Sequence, residues 1–134
     1  MKLLLDTHIL LWALADDSRL PLIARKMIED AENDPYYSIL SLWEIELKRL
    51  AHPDKMPFSA TEIIAWCEEA GFQLLPLKKA NILYLETLQR AASSTQHKDP
   101  FDRMLICQAA TDGFLLLTHD RLFSCYGEPG VTII

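Results

Sequence analysis

Four carboxylates stand where a merely solvated charge is not expected, and they are the residues here best suited to chemistry. Asp6 directly follows the apolar run Leu3-Leu4-Leu5, and Asp120 comes two residues after a second run, Phe114 to Thr118. On a helix, Asp102 has Leu105, Ile106 and Ala109 at i+3, i+4 and i+7, so it falls within an apolar stripe and is expected to point inward. Glu44 lies on the margin of another stripe, formed by Leu40, Trp43, Leu47 and Ala51. An unpaired buried carboxylate is costly, so it meets a cation or takes up a proton. One cation shared by all four is the economical arrangement.

Each residue also has a purely structural reading. Asp6 suits the cap of a helix beginning near His8, and Ser41-x-x-Glu44 matches a capping box, with Lys48 at i+4 as an ion-pair partner. Asp99 before Pro100 is a natural N-cap, Asp102 suits the positive end of the helix that follows, and Asp120 can open a short helical turn. Capping alone does not require two carboxylates after buried strands and two at helix starts to gather at one end of a sheet. That joint pattern favours a site.

The elements that must position these residues alternate. Leu3 to Leu5, Tyr36 to Ser38, Phe72 to Leu77, Phe114 to Thr118 and Val131 to Ile134 read as strands, the first and fourth apolar enough to be buried on both faces. Helical spacing covers Pro21 to Glu32, Leu40 to Ala51, Ala60 to Ala70, Lys78 to Ala92 and Asp99-Pro100 to Asp112, with Gly71 and Gly113 placed to end two of them. Ser93 to Lys98 reads as a loop. Strands alternating with helices imply right-handed crossovers and a three-layer α/β/α architecture around a mostly parallel sheet. Neither a repeat nor a linker divides the sequence, so residues 1–134 are expected to form a single domain. Open sheets of this kind bind ligands at the carboxyl ends of their strands, where Asp6 and Asp120 fall.

Composition narrows the function. Half of the 134 residues are hydrophobic and 24% are charged, with four glycines and seven prolines, which excludes a disordered or collagenous chain. Cys67, Cys107 and Cys125 are odd in number and form no Cys-x-x-Cys pair, so neither a disulfide framework nor a zinc knuckle is indicated. The longest apolar run, Ile9 to Ala15, is far short of the ~18 residues of a membrane span. Asp6 and His8 interrupt a leucine-rich start that otherwise imitates a signal peptide, so the expected location is the cytoplasm. Taken alone, the net charge of −6 disfavours a phosphate-binding partner. With the four carboxylates set aside as cation ligands, however, 15 acidic residues face 13 basic ones, so part of the acidity is local.

Four blocks carry a resemblance to a known family: LLLDTHILLWAL from Leu3 to Leu14, SILSLWEIELK from Ser38 to Lys48, HKDPFDRMLICQAA from His97 to Ala110, and LLLTHD from Leu115 to Asp120. In order and spacing, over nearly the whole chain, the sequence resembles the PIN-domain ribonucleases and, among them, the VapC-type toxins of type II toxin–antitoxin pairs. The resemblance implies a PIN-like, Rossmann-like fold whose acidic quartet binds Mg²⁺, with Mn²⁺ able to substitute, and hydrolyses RNA phosphodiester bonds. Position by position the quartet falls on Asp6, Glu44, Asp102 and Asp120, the residues singled out above. Asp6 and Asp102 are expected as direct ligands, with Glu44 and Asp120 completing the site directly or through water. An oxygen-only donor set suits such hard cations.

Asp99 is then a capping or supporting residue, and Thr7 and Thr118 are donors to a carboxylate or to a water on the metal. Lys48, Arg49, Lys98, Arg103 and Arg121 flank the site in sequence; they hold the RNA backbone on one reading, and are surface residues in local ion pairs on the other. His8, His97 and His119 lie near the quartet, as hydrogen-bonding residues rather than as ligands for a softer metal, and His52 carries no signal. Related toxins often carry Leu-Pro before the His-x-Asp-Pro-Phe-Asp-Arg motif, where this chain has Ser93-Ser94-Thr95-Gln96.

The resemblance also implies a homodimer and a small cognate antitoxin protein as partners, with no membrane association. Apolar residues at helical spacing, such as Ile63, Ile64 and Trp66 or Leu83, Leu85 and Leu88, are core, or in part a dimer face. Two other functions compete. A haloacid-dehalogenase-like phosphotransfer enzyme needs a second Asp two residues after the first, where this chain has His8. A catalytically silent module with the PIN fold has no reason to retain all four acids.

Overall fold

In the computed structural model, which describes residues 1–92 and 99–134, the apolar runs become the middle of a parallel sheet. The strands are β1 (Lys2–Leu5), β2 (Asp34–Ser38), β3 (Gln73–Leu75), β4 (Leu115–Thr118) and β5 (Val131–Ile133), in the order β3-β2-β1-β4-β5 with every pair parallel. Leu4 registers with Tyr36 on one side and Leu116 on the other. Because alternate side chains of a strand face opposite ways, β1 serves two cores. Leu3 and Leu5 join Ile9, Leu10, Ile45 and Ile63 in one layer, while Leu4 joins Leu88, Leu105, Ile106 and Phe123 in the other. Burying each of these leucines contributes about 1.5–3 kcal/mol.

Between the strands run α1 (Thr7–Leu14), α2 (Leu22–Glu29), α3 (Ile39–Ala51), α4 (Ala60–Ala70), α5 (Lys79–Leu83), α6 (Leu85–Ala91) and α7 (Pro100–Asp112), and a 3₁₀ turn (Arg121–Tyr126) follows β4. Among the described residues this is the expected three-layer α/β/α fold, with the sheet wholly rather than mostly parallel. Gly113 ends α7 at φ +74°, a conformation that costs glycine little.

Three local expectations are corrected. The helix expected over Lys78 to Ala92 is two, α5 and α6, broken at Tyr84. Buried Asn81 ties α5 to Thr111 of α7, whereas the Tyr84 hydroxyl donates to Glu128 Oε2 at 3.1 Å, so the two segments follow different anchors. Leu83, expected in a core or a dimer face, is 76% exposed, which excludes it from the core but not from a dimer face, while Ile63 and Leu88 are buried as expected. On α3 Leu40 is buried as expected, but it is joined by Ser41, Leu42, Glu44 and Ile45, while Trp43, Leu47 and Ala51 face outward, Trp43 at 59% exposure. The helix is apolar on more than one face, and periodicity alone does not say which face the sheet covers.

Candidate active site

The strand order places a crevice between β1 and β4. From β1 the chain turns into α1 on one face of the sheet, and from β4 into the 3₁₀ turn on the other, which makes this the topological switch point where open α/β sheets bind ligands. Asp6 stands at the carboxyl end of β1 and caps α1, its Oδ1 accepting from Ile9 N at 3.1 Å. Its Oδ2 accepts from the Thr118 hydroxyl at the end of β4, and its own N–H donates to Leu117 O at 3.1 Å. The Thr118 hydroxyl in turn accepts from Asp120 N at 3.0 Å, so one side chain ties both acidic segments together. Asp120, half-buried, caps the 3₁₀ turn through Leu122 N at 2.9 Å.

Asp6 is only 4% exposed, and burial pushes its carboxyl above the usual carboxylate range even though Thr118 and Ile9 support the charged form. Asp6 and Asp120 line a cleft of about 260 Å³ with His8, Trp12 and His119.

Glu44 and Asp102 approach the same edge on helices rather than after strands. Ser38 at the end of β2 caps α3 through Leu40 N at 3.0 Å, which starts that helix beside the end of β1. The Thr7 hydroxyl meets the Ser41 hydroxyl at 3.0 Å and joins the first turns of α1 and α3. Ser41 therefore does not form the capping box expected with Glu44; Ser38 is the cap, and a capping box joins Ser59 with Glu62 at the start of α4. Thr7 pairs with that hydroxyl rather than with a carboxylate.

Glu44 is 6% exposed. Its Oε2 lies 3.3 Å from Lys48 Nζ, and its Oε1 is buried with no hydrogen-bond partner among the described residues. Such an oxygen is costly unless something donates to it or binds it.

Asp102 sits in the first turn of α7, which Asp99 caps through Phe101 N at 2.9 Å and Asp102 N at 3.3 Å. It is half-buried rather than fully inward, while Leu105 and Ile106 reach the core. Trp43 and Phe101, neighbours in sequence of Glu44 and Asp102, meet edge to face at 5.2 Å and bring α3 and α7 together.

The fold thus carries Asp6, Asp120, Glu44 and Asp102 on elements that start at one edge of the sheet. Asp6 and Asp120 share the cleft, and Glu44 and Asp102 do not line it. Among the described residues no three Asp, Glu, His or Cys side chains stand close enough to hold one ion.

The basic residues divide. Lys48 is engaged with Glu44, and Arg49 grips Glu46 through Nε at 2.8 Å and Nη2 at 3.0 Å, as local ion pairs require. That pairing holds the Glu46 carboxyl down at about 2. Half-buried Arg103 donates from Nη1 to Gln89 at 3.1 Å, and Arg121 is exposed beside His119. Lys98 and His97 lie outside the described residues.

Sequence reading passed over the Ser38–Gln108 contact. Ser38 Oγ donates to Gln108 Oε1 at 2.6 Å, and Gln108 Nε2 donates to Pro76 O at 3.2 Å, joining α7 to the ends of β2 and β3. Ser38 at a strand-to-helix junction is a readable N-cap, but its second partner lies 70 residues away. Trp12 was equally hidden, inside the apolar run from Ile9 to Ala15.

Comparison with known proteins agrees with this fold. The family model described as PIN domain matches residues 3–128. Ribonuclease VapC22 of Mycobacterium tuberculosis is 25% identical over 126 residues, spanning 94% of this chain and 92% of that protein. Two solved structures share the fold: VapBC2 from Rickettsia felis, bound to a DNA fragment from its promoter (TM-score 0.69, 14% identity, 100% of this chain and 98% of that one), and VapBC-1 from nontypeable Haemophilus influenzae (TM-score 0.69, 16% identity, 99% and 98%).

Proposed function

From the premise that the chain belongs to the PIN domain family, we propose that it is a divalent-metal-dependent ribonuclease and the toxin of a type II toxin–antitoxin pair. The observation that carries this reading is Asp6, a buried carboxylate at the switch point, fixed by Thr118 and Ile9 and facing a cleft shared with Asp120. The donors are all oxygen, the chemistry that Mg²⁺ or Mn²⁺ takes, although no three of the carboxylates stand close enough in this structure to hold one ion; the buried Oε1 of Glu44, without a partner among the described residues, is an acceptor that a cation or its water would satisfy. Asp6 and Asp102 would hold the ion directly, and Asp120 and Glu44 would complete its surroundings. When bound, the ion supplies Lewis-acid stabilisation of phosphoryl charge and a stronger nucleophile from water at neutral pH.

The side chains provide position. Asp6 is locked in one rotamer by two donors, so a ligand bound there meets a preorganised carboxylate. Thr118 keeps Asp120 in register with Asp6, and Lys48 offsets part of the Glu44 charge. Exposed Arg121, with Lys98 and Arg103, would hold the RNA backbone. Water as nucleophile leaves 5′-phosphate and 3′-hydroxyl ends.

The fold shared with the VapBC2 and VapBC-1 structures supports a small antitoxin protein as partner, and we extend the reading to a homodimer acting in the cytoplasm. Among the described residues no helix is long and apolar enough to cross a membrane. The test is cleavage of RNA by the wild type, Asp6→Asn and Asp102→Asn with Mg²⁺ and with EDTA. Loss of activity in both variants and in EDTA is expected. Activity that survives, or 2′,3′-cyclic phosphate ends, refutes the mechanism.

A further inference from the structure

The hydrolysis described above makes no use of the rings that line the carboxylate cleft. Trp12, on the second turn of α1, lies 5.8 Å from the ring of His8, inclined at 39°, and 5.8 Å from that of His119, inclined at 69°. Both imidazoles are exposed. His119 is oriented by a hydrogen bond from Nδ1 to the Ile134 carbonyl. The Arg19 guanidinium sits over the indole at 5.6 Å, and Asp17 fixes it there by accepting from Nε at 3.1 Å and from Nη2 at 2.8 Å. His8, Trp12 and His119 line the same cleft of about 260 Å³ as Asp6 and Asp120.

Core packing accounts for the inner edge of Trp12, which touches the cluster around Leu10, but not for two exposed rings gathered on its outer edge. Beside two carboxylates, aromatic rings are poorly placed for a phosphate and well suited to the face of a base, which any nucleobase presents once unstacked.

Resting on the ribonuclease reading, we propose that His8, Trp12 and His119 seat one unpaired nucleobase of the substrate next to the bond that is cut.

The test uses short single-stranded oligoribonucleotides whose cut bond has been mapped with the wild-type chain. Each is compared, in Mg²⁺, with copies that are abasic on one side or the other of that bond. For the wild type, kcat/KM is expected to fall about 5- to 150-fold on one of the abasic copies, the range spanned by one base–aromatic stack. Trp12→Leu, and His8→Ala combined with His119→Ala, should each lose a comparable factor on the intact RNA and show little further loss on the abasic copy. The histidine pair is exposed and leaves the core untouched, so its result stands even if Trp12→Leu folds poorly. A wild type indifferent to both abasic positions, or variants that keep the full abasic penalty, overturns the base seat and leaves the nuclease standing. A wild type that cuts no RNA overturns the ribonuclease reading and the seat with it.

Discussion

Replacing Ser38 with alanine removes two hydrogen bonds that meet at one hydroxyl. The first is the N-cap of α3, Leu40 N to Ser38 Oγ at 3.0 Å, whose loss costs ~1 kcal/mol. The second runs from Ser38 Oγ to Gln108 Oε1 at 2.6 Å, and both residues are fully buried. Removing the hydroxyl leaves that amide oxygen without its donor and out of reach of water, a penalty of about 1–3 kcal/mol. Together the loss is about 3 kcal/mol.

For 134 residues, an unfolding entropy near 2.1 cal/mol/K per residue gives about 0.3 kcal/mol/K, so the melting temperature should fall by roughly 10 °C. Thermal and urea unfolding of Ser38→Ala, Gln108→Leu and the double variant measure this. Gln108→Leu removes the stranded acceptor, and the Pro76 carbonyl it leaves behind belongs to an exposed residue that water can reach. The double variant should therefore be more stable than the sum of the single losses predicts, by about 1–2 kcal/mol. A melting temperature that falls by less than about 3 °C, or strictly additive single effects, would falsify the assignment of this pair as the polar tie between α7 and the sheet.

Other outcomes follow from the same geometry. Because burial raises the Asp6 pKa in the folded chain, Asp6 favours folding below its unfolded pKa, and that contribution is lost as pH rises through the folded value. In metal-free buffer Asp6→Asn should therefore melt higher than the wild type at pH 7, with the gap closing toward pH 3, while cleavage is abolished; a variant less stable at pH 7 contradicts the burial argument. Cys67 and Cys107 are buried, their thiols pushed up to about 12 and about 11, so Ellman's reagent at pH 8 should titrate no more than one thiol per native chain, that of half-buried Cys125. Reaction of two or three thiols before unfolding would show that the layers open. Gly113→Ala places a Cβ that meets nothing within 4 Å, so its cost is the positive φ alone, about 1 kcal/mol read as a shift in the urea midpoint; an unchanged midpoint would mean that the C-cap can relax.

Much of the fold is written in local chemistry. Leu3 to Leu5 and Phe114 to Thr118 are too apolar to serve anywhere except inside a sheet, Pro100 and Gly113 bracket α7, and Gly71 closes α4. Asp6 and Asp120 are legible for a related reason: a carboxylate just past a buried strand falls at the ligand-binding edge of a parallel sheet whatever the rest of the chain does. The face of α3 was not legible. Ile39, Trp43, Leu47 and Leu50 form a stripe as apolar as the buried one, and only the position of the sheet decides between them. The break at Tyr84 is equally non-local, since Asn81 and Tyr84 answer to Thr111 and Glu128.

By itself, then, the sequence determined the alternation of strands and helices and pointed to four carboxylates as candidates for a site, because these depend on residue type and on spacing within a few turns. The tertiary structure alone decided that Thr118 joins Asp6 to Asp120, that Ser38 and Gln108 tie α7 to the sheet, and that Trp12 stands beside the cleft between two imidazoles. Apart from His8 with Trp12, one turn apart on α1, and Thr118 with Asp120, two residues apart, those contacts join residues brought together only by the strand order β3-β2-β1-β4-β5. Closing so distant a pair depends on the burial of every layer between, which no local pattern encodes.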